Sequence, residues 1–290
     1  MGSGPQVNGL PLSSGRVWMG QPRAVSPKLK VTVGLAFIVG LALAGFLLPL
    51  PYNPITPNVD AIAQPPSAAH WFGTDLSGFD VFSRVIAASS RDLPLSLAGT
   101  LLSMLFGVPL GLIASSKSRW GEWIMRALDV FQAFPVLILA LSIVTLTGNQ
   151  LQNVVLAIMI ISIPRFMRLL RSEALPLRDS RFMEAAYAIG CSPVRILFRH
   201  LLPNVLGVVF VQASLTAAYA IIVIASLNFI GVGVSPPAPT WGSMIQSGAQ
   251  TVSQGDWWMS LFPGLAVFLA VFNLNQVADG LDAMFGHAEG

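Results

Sequence analysis

Six long stretches of this sequence carry almost no charge, and each has about the length that a helix needs to cross a membrane. A helix rises 1.5 Å per residue, so ~20 apolar residues cover a hydrocarbon core of about 30 Å. The runs are 31–50, 93–115, 123–146, 154–170, 205–227 and 258–278. Inside lipid every backbone N–H and C=O must be satisfied within the protein, which leaves helices or closed barrels. Runs this long, without period-two alternation, indicate helices. The expected fold is therefore all-α, a polytopic membrane protein with six transmembrane helices. Charged residues make up only 10% of the chain, against about 25% in a soluble domain, which excludes an ordinary soluble enzyme.

Positively charged loops stay on the cytoplasmic side. With the N-terminus inside, only Arg84 and Arg91 of the sixteen Lys and Arg residues fall on the external face. Both termini are then cytoplasmic and the protein is a multi-pass component of the cell membrane. Charges near the ends of the third and fourth runs fit this arrangement. Asp129 can pair with Arg126 three residues earlier, and Arg165 and Arg168 can snorkel from a helix end. The net charge of +3 reflects basic loops, and nucleic-acid binding is not indicated. A single cysteine, Cys191, excludes an internal disulfide, and His70, His200 and His287 are too far apart to form a metal cluster.

Four regions follow: a Gly-, Pro- and Ser-rich cytoplasmic tail over 1–28, the first span with its external segment over 29–92, a five-span core over 93–282, and a short tail over 283–290. In the second external segment Trp241, Met244, Ile245 and Ala249 recur at helical spacing, which predicts a short helix lying on the other spans or at the interface.

The longest cytoplasmic loop holds the most specific pattern. Phe182, Ala185, Ala186 and Ile189 fall at i, i+3, i+4 and i+7, and Val194, Leu197, Phe198 and Leu201 repeat that spacing. Asp179 or Ser180 can cap the first helix, Gly190 can supply a positive φ at its end, and Ser192-Pro193 suits the start of the second. The residues alone thus predict helix, glycine turn, helix. A DNA-binding helix pair or a pair lying on anionic lipid would share that outline.

Glu184-Ala185-Ala186, Gly190 and Leu202-Pro203 together resemble the EAA motif of permease subunits in binding-protein-dependent ABC importers. His200, two residues before Leu202, resembles the dipeptide and oligopeptide branch. The resemblance implies the importer permease fold, with Glu184, Ala185, Ala186, Gly190, His200 and Pro203 in coupling helices that dock on an ATPase subunit. It also implies a second homologous permease subunit, two ATPase subunits carrying ATP and Mg, and an extracytoplasmic substrate-binding protein.

Two external stretches are similar to the C-type permeases of dipeptide, oligopeptide and nickel importers. One is His70-Trp71-Phe72-Gly73-Thr74-Asp75 with Gly78, Asp80 and Arg84, where Phe79 replaces the family's usual arginine. The other runs from Phe229-Ile230-Gly231 through Pro236-Pro237-Ala238-Pro239-Thr240-Trp241-Gly242, and Phe262-Pro263-Gly264 and Asp279-Gly280-Leu281 extend the likeness. The resemblance covers 70–281, and makes Asp75, Arg84 and Trp241 candidate external residues, while Asn273, in the polar cluster of the last run, is a candidate pathway residue.

No cofactor is expected in this chain. The stretch Gly111-Leu112-Ile113-Ala114-Ser115-Ser116-Lys117-Ser118 is short of a P-loop because its second glycine position is Ser116, and it ends an apolar helix rather than following a strand. No nucleophile and base constellation is present, so an enzyme is not expected. The alternative is an ion-coupled secondary transporter or channel, which usually places ionisable groups within the bilayer. The run centres hold none, and Asn273, Asn275 and Gln276 form the most polar cluster, expected to bond neighbouring helices.

Overall fold

The computed structural model describes residues 26–116, 119–234 and 236–285, with the side chains of Phe182 and Tyr187 outside that description. The expected tails over 1–25 and 286–290, and Lys117, lie outside the described residues.

The chain is built from helices. α1 (Pro27–Leu47) begins with Pro27 at its first position and Ser26 capping Leu29 N–H. α2 (Val81–Ala114) starts twelve residues before the expected 93, because Asp80 caps it, its Oδ2 accepting from Ser83 N–H at 2.8 Å. The polar residues Ser83, Arg84, Ser89 and Asp92 in those added turns are buried, so a hydropathy reading stops short of them.

The third apolar run is not one helix. α3 (Arg119–Gln132) and α4 (Val136–Thr147) meet at an angle of 88°. Pro135 lacks an N–H and disfavours helical geometry at Phe134, and Arg119, Glu122, Arg126 and Asp129 give α3 a polar face that a straight span would carry into lipid. Five helices are long and apolar enough to cross a membrane, or six if the bent pair counts as one broken span. Asp129 does not pair with Arg126 as expected. It accepts from Arg168 at 2.8 Å, while the Arg126 guanidinium lies 5.2 Å from the centre of the Trp123 ring.

α5 (Leu151–Arg178) continues eight residues beyond the expected end at 170. α6 (Arg181–Ala188) follows, and after the Gly190 turn the short α7 (Pro193–Arg195) runs through a π-helical segment, Ile196–Leu201, into α8 (Leu202–Phe229). α9 (Trp241–Ala249) is the predicted short helix, with Trp241 and Met244 buried, and α10 (Trp258–Phe285) ends the described chain.

α2 and α5 pack side by side and parallel. A Cβ on Gly99 would meet Ile158 side-chain atoms at 2.5 Å, one on Gly107 would meet Phe166 at 2.7 Å, and one on Gly111 would meet Leu170 at 2.8 Å. With Ser103 these form a small-residue row at four-residue spacing, which lets two membrane helices approach closely where lipid provides no hydrophobic drive.

One end of the bundle gathers the start of α1, the ends of α2, α5 and α10, and the start of α8. Gly280 abuts the Pro27 carbonyl, Gly207 abuts Phe285, and Arg178 Nε donates to Ser115 Oγ at 2.9 Å. The opposite end gathers the end of α1, the start of α2, α9 and the start of α10 around Ile38, Val81, Val85, Trp241 and Trp258. α1 buries only Gly34 and Ile38, so most of its apolar surface faces outward.

Candidate functional site

At the end that holds Arg178, α5 stops at Asp179 and the chain turns directly into α6. The Ser180 carbonyl accepts from Met183 N–H at 3.0 Å and Glu184 N–H at 3.2 Å. Ser180 Oγ does not cap α6. It turns back to the Leu177 carbonyl at 2.6 Å. Gly190 has φ +76°, as expected for a left-handed turn that only glycine adopts without strain. Ser192 Oγ then accepts from Arg195 N–H at 3.4 Å with Pro193 at the first helical position.

The apolar faces divide differently from the periodic reading. Met183 and Ala186 of α6 are buried, and Met183 joins Leu112, Phe166, Leu170, Ile196 and Leu201 in one cluster. Ala185 is exposed, and Phe182 lies outside the described side chains. Ile196 and Leu201 stand five residues apart, the spacing of a π turn, so the segment is rotated relative to a 3.6-residue repeat. That rotation leaves Val194 and Phe198 67% and 53% exposed, beside Ile189 at 80%. Glu184, Gly190 and Pro203 are exposed as well, and His200 is half-buried, its carbonyl accepting from Asn204 Nδ2 at 2.5 Å. The six predicted residues therefore share one end of the bundle, five of them at its surface or half-buried and Ala186 packed beneath.

The opposite end brings Asp75 and Arg84 together on a cleft of about 400 Å³, lined also by Phe79, Pro236, Gln246 and Met259. Asp75 Oδ1 accepts from Ser77 N–H at 2.9 Å and Phe79 N–H at 3.0 Å, and its Oδ2 lies 4.0 Å from Arg84 Nε. The Arg84 guanidinium covers the Phe79 ring at 4.1 Å and donates to the Pro54 carbonyl at 3.2 Å. Phe79 thus serves as a platform for an existing cation. Trp241 is fully buried behind the cleft, its ring N–H donating to the Val85 carbonyl at 2.9 Å.

Sequence reasoning passed over Asp92. It is buried, and its Oδ2 accepts from Trp241 N–H at 2.9 Å, which anchors the first turn of α9 to α2. Its place after Arg91, at the edge of an apolar run, gave the appearance of a surface charge. His70 and Asp80 form a second buried pair at 2.9 Å, with the Tyr52 ring stacked 4.5 Å from the imidazole. Asn273 is brought to neither end's site. Its amide donates to Leu269 of its own helix at 2.8 Å, and Asn275 bonds Val271 at 2.9 Å, so neither makes the interhelical bond expected of it. Gly111 of the P-loop lookalike lies inside α2 against Met167 and Leu170.

Comparison with known proteins places this arrangement. Residues 107–287 match the family model described as binding-protein-dependent transport system inner membrane component. The chain is 38% identical over 252 residues to the dipeptide transport system permease protein DppC of Alkalihalophilus pseudofirmus, covering 86% of this chain and 83% of that one. It is 38% identical to the glutathione transport system permease protein GsiD of Pectobacterium atrosepticum, with 77% and 74% covered. The di/tripeptide permease DppC of Pseudomonas aeruginosa is 35% identical, with 86% and 84% covered. In fold, a chain of the inward-facing MetNI methionine ABC transporter superposes with a TM-score of 0.55 at 16% identity, over 68% of this chain and 96% of that one. The chain belongs to the binding-protein-dependent transport system inner membrane components and is a multi-pass permease subunit of an ABC importer.

Proposed function

We propose that this permease moves short peptides, that the end carrying Gly190 is its cytoplasmic coupling surface, and that Glu184, Ala185, Ala186, Gly190, His200 and Pro203 form the contact with an ATPase subunit. The observation that carries the coupling assignment is the bare apolar trio Ile189, Val194 and Phe198 beside an exposed Glu184. A membrane permease gains nothing by presenting such side chains to water unless a partner covers them. Peptide transport is supported by the relatives, which are dipeptide, di/tripeptide and glutathione transport permeases. ATP and Mg reside on two ATPase subunits, a second homologous permease completes the pathway, and a substrate-binding protein meets the cleft of Asp75 and Arg84. The basic residues Arg171, Arg178, Arg195 and Arg199 belong to the Gly190 end, which favours cytoplasmic termini. The domain scheme follows, with a tail over 1–28, a first span and external segment over 29–92, a core over 93–282 and a tail over 283–290.

Replacing Gly190 with Pro forces φ to about −65° where +76° is needed. In the reconstituted complex, Gly190→Pro and Glu184→Lys are each expected to lower substrate-stimulated ATP hydrolysis and peptide uptake together by tenfold or more, roughly the loss of one well-placed interface contact. Unchanged coupling in both variants would sink the assignment. For orientation, a cysteine at Ser77 in a Cys191→Ser background should react with an impermeant thiol reagent on intact cells, and one at Ser180 should not.

A further inference from the structure

The break between α3 and α4 opens a cavity of about 230 Å³, lined by Phe131, Gln132, Phe134, Val136, Ile161 and Arg165. Arg165 is not at a helix end as expected. It is the midpoint of the 28-residue α5, about 21 Å of helix rise from Leu151, so a hydrocarbon core of about 30 Å that begins near Leu151 contains it. An arginine at such depth is costly, and it normally pairs with a carboxylate or lines a polar path. Two arginines stand one turn apart here and differ in this respect. Arg168 is neutralised by Asp129 at 2.8 Å and bonded to Gln132. Arg165 has no carboxylate partner among the described residues. Nor does it snorkel toward a helix end, because its guanidinium is held 3.5 Å from the centre of the Tyr219 ring of α8.

We propose that Arg165, stacked on Tyr219 beside the break of α3 and α4, is a binding site for the terminal carboxylate of the peptide cargo on its way through the membrane. The guanidinium presents a planar fork that matches a carboxylate, and stacking on an aromatic face fixes its plane while leaving its edge free to donate. Gln132 supplies an amide for the peptide backbone, and Phe131 and Phe134 give apolar surface to the last side chain. The cavity is smaller than the usual site for a whole drug-sized ligand and has room for the end of a peptide. Such a site lowers the electrostatic barrier to a group that is otherwise expelled from the bilayer, and its single cation leaves binding weak enough for release. The inference rests on the peptide-importer reading.

The test uses the full complex in proteoliposomes, with radiolabelled dialanine and trialanine as probes and uptake expressed per ATP hydrolysed. Arg165→Gln is expected to reduce that ratio roughly tenfold, the usual scale for losing a charged hydrogen bond, while ATP hydrolysis stimulated by the binding protein persists. Arg165→Lys, which keeps the charge and loses the fork, should recover to within about threefold of wild type. Equal uptake per ATP by Arg165→Gln overturns this site alone. A wild-type complex that hydrolyses ATP but moves neither peptide overturns the peptide reading and this site with it. A deficit confined to phosphatidylglycerol-containing membranes and absent in phosphatidylcholine assigns the arginine to a lipid headgroup and overturns the proposal. Loss of the second permease subunit from purified Arg165→Gln complex does the same in favour of a subunit contact.

Discussion

At the Trp241 end most buried polar groups find partners within the chain, whereas at the Gly190 end large apolar side chains lie bare. Trp241 bonds Asp92 and the Val85 carbonyl, Trp258 bonds the Thr74 carbonyl, and His70 bonds Asp80, at 2.9 to 3.1 Å. Ile189, Val194 and Phe198 touch little of their own chain and are more than half exposed. The first end spends its interactions on holding a fixed shape. The second leaves apolar surface that, in the proposed coupling role, a partner subunit would bury. In thermodynamic terms the first contributes to the stability of this subunit, and the second to the free energy of assembly.

That contrast can be broken or sharpened by substitution. The largest effect is expected at Gly242, where a Cβ would lie 2.1 Å from the Ala225 carbonyl oxygen. Gly242→Val should cost about 3 kcal/mol of stability, seen as a lowered midpoint of thermal unfolding in detergent. Next, Asp92→Ala strips the buried Trp241 N–H of its acceptor and should cost about 2 kcal/mol in the same assay. Asp92→Asn, which keeps an acceptor oxygen, should cost less. At the other end Phe198→Ser should leave the unfolding midpoint of the isolated permease nearly unchanged, within about 0.5 kcal/mol. It should weaken retention of the ATPase subunit roughly tenfold, read by titrating that subunit onto immobilised permease. A Phe198→Ser permease that unfolded earlier yet bound the ATPase as wild type does would erase the distinction between the ends. The smallest effect is expected for Phe79→Leu, which removes the ring beneath Arg84 and should cost about 0.5 kcal/mol.

The crossings were legible because lipid imposes length and apolarity on every one of them. Their limits were less so. α2 reaches back to Val81 through Arg84 and Asp92, whose polarity is compensated by Phe79 nearby and by Pro54 and Trp241, the last two too distant in sequence for a hydropathy reading to anticipate. The third crossing looked continuous, since Pro135 is compatible both with a kink and with a sharp break, and only packing decides between them. In the coupling loop the Gly190 turn and the Ser192 cap were readable, because each depends on local backbone chemistry. The division of apolar faces was not, because the π segment over Ile196–Leu201 replaces the period on which amphipathic reading relies. The mid-helix position of Arg165 was hidden for a related reason, as its helix continues eight residues beyond the apolar run that ends at Leu170.

The same π segment has a mechanical consequence. It runs on from α7 into α8, so Pro193–Phe229 forms one continuous helix of 37 residues, about 55 Å long. A tilt of about 5° around one end would carry the other through about 5 Å, since displacement grows with that length. Under the proposed coupling role this helix would act as a lever arm, carrying a small rotation at the Gly190 end into a larger displacement beside the Trp241 end. Inserting a residue into the π turn would alter the phase of that lever rather than its length.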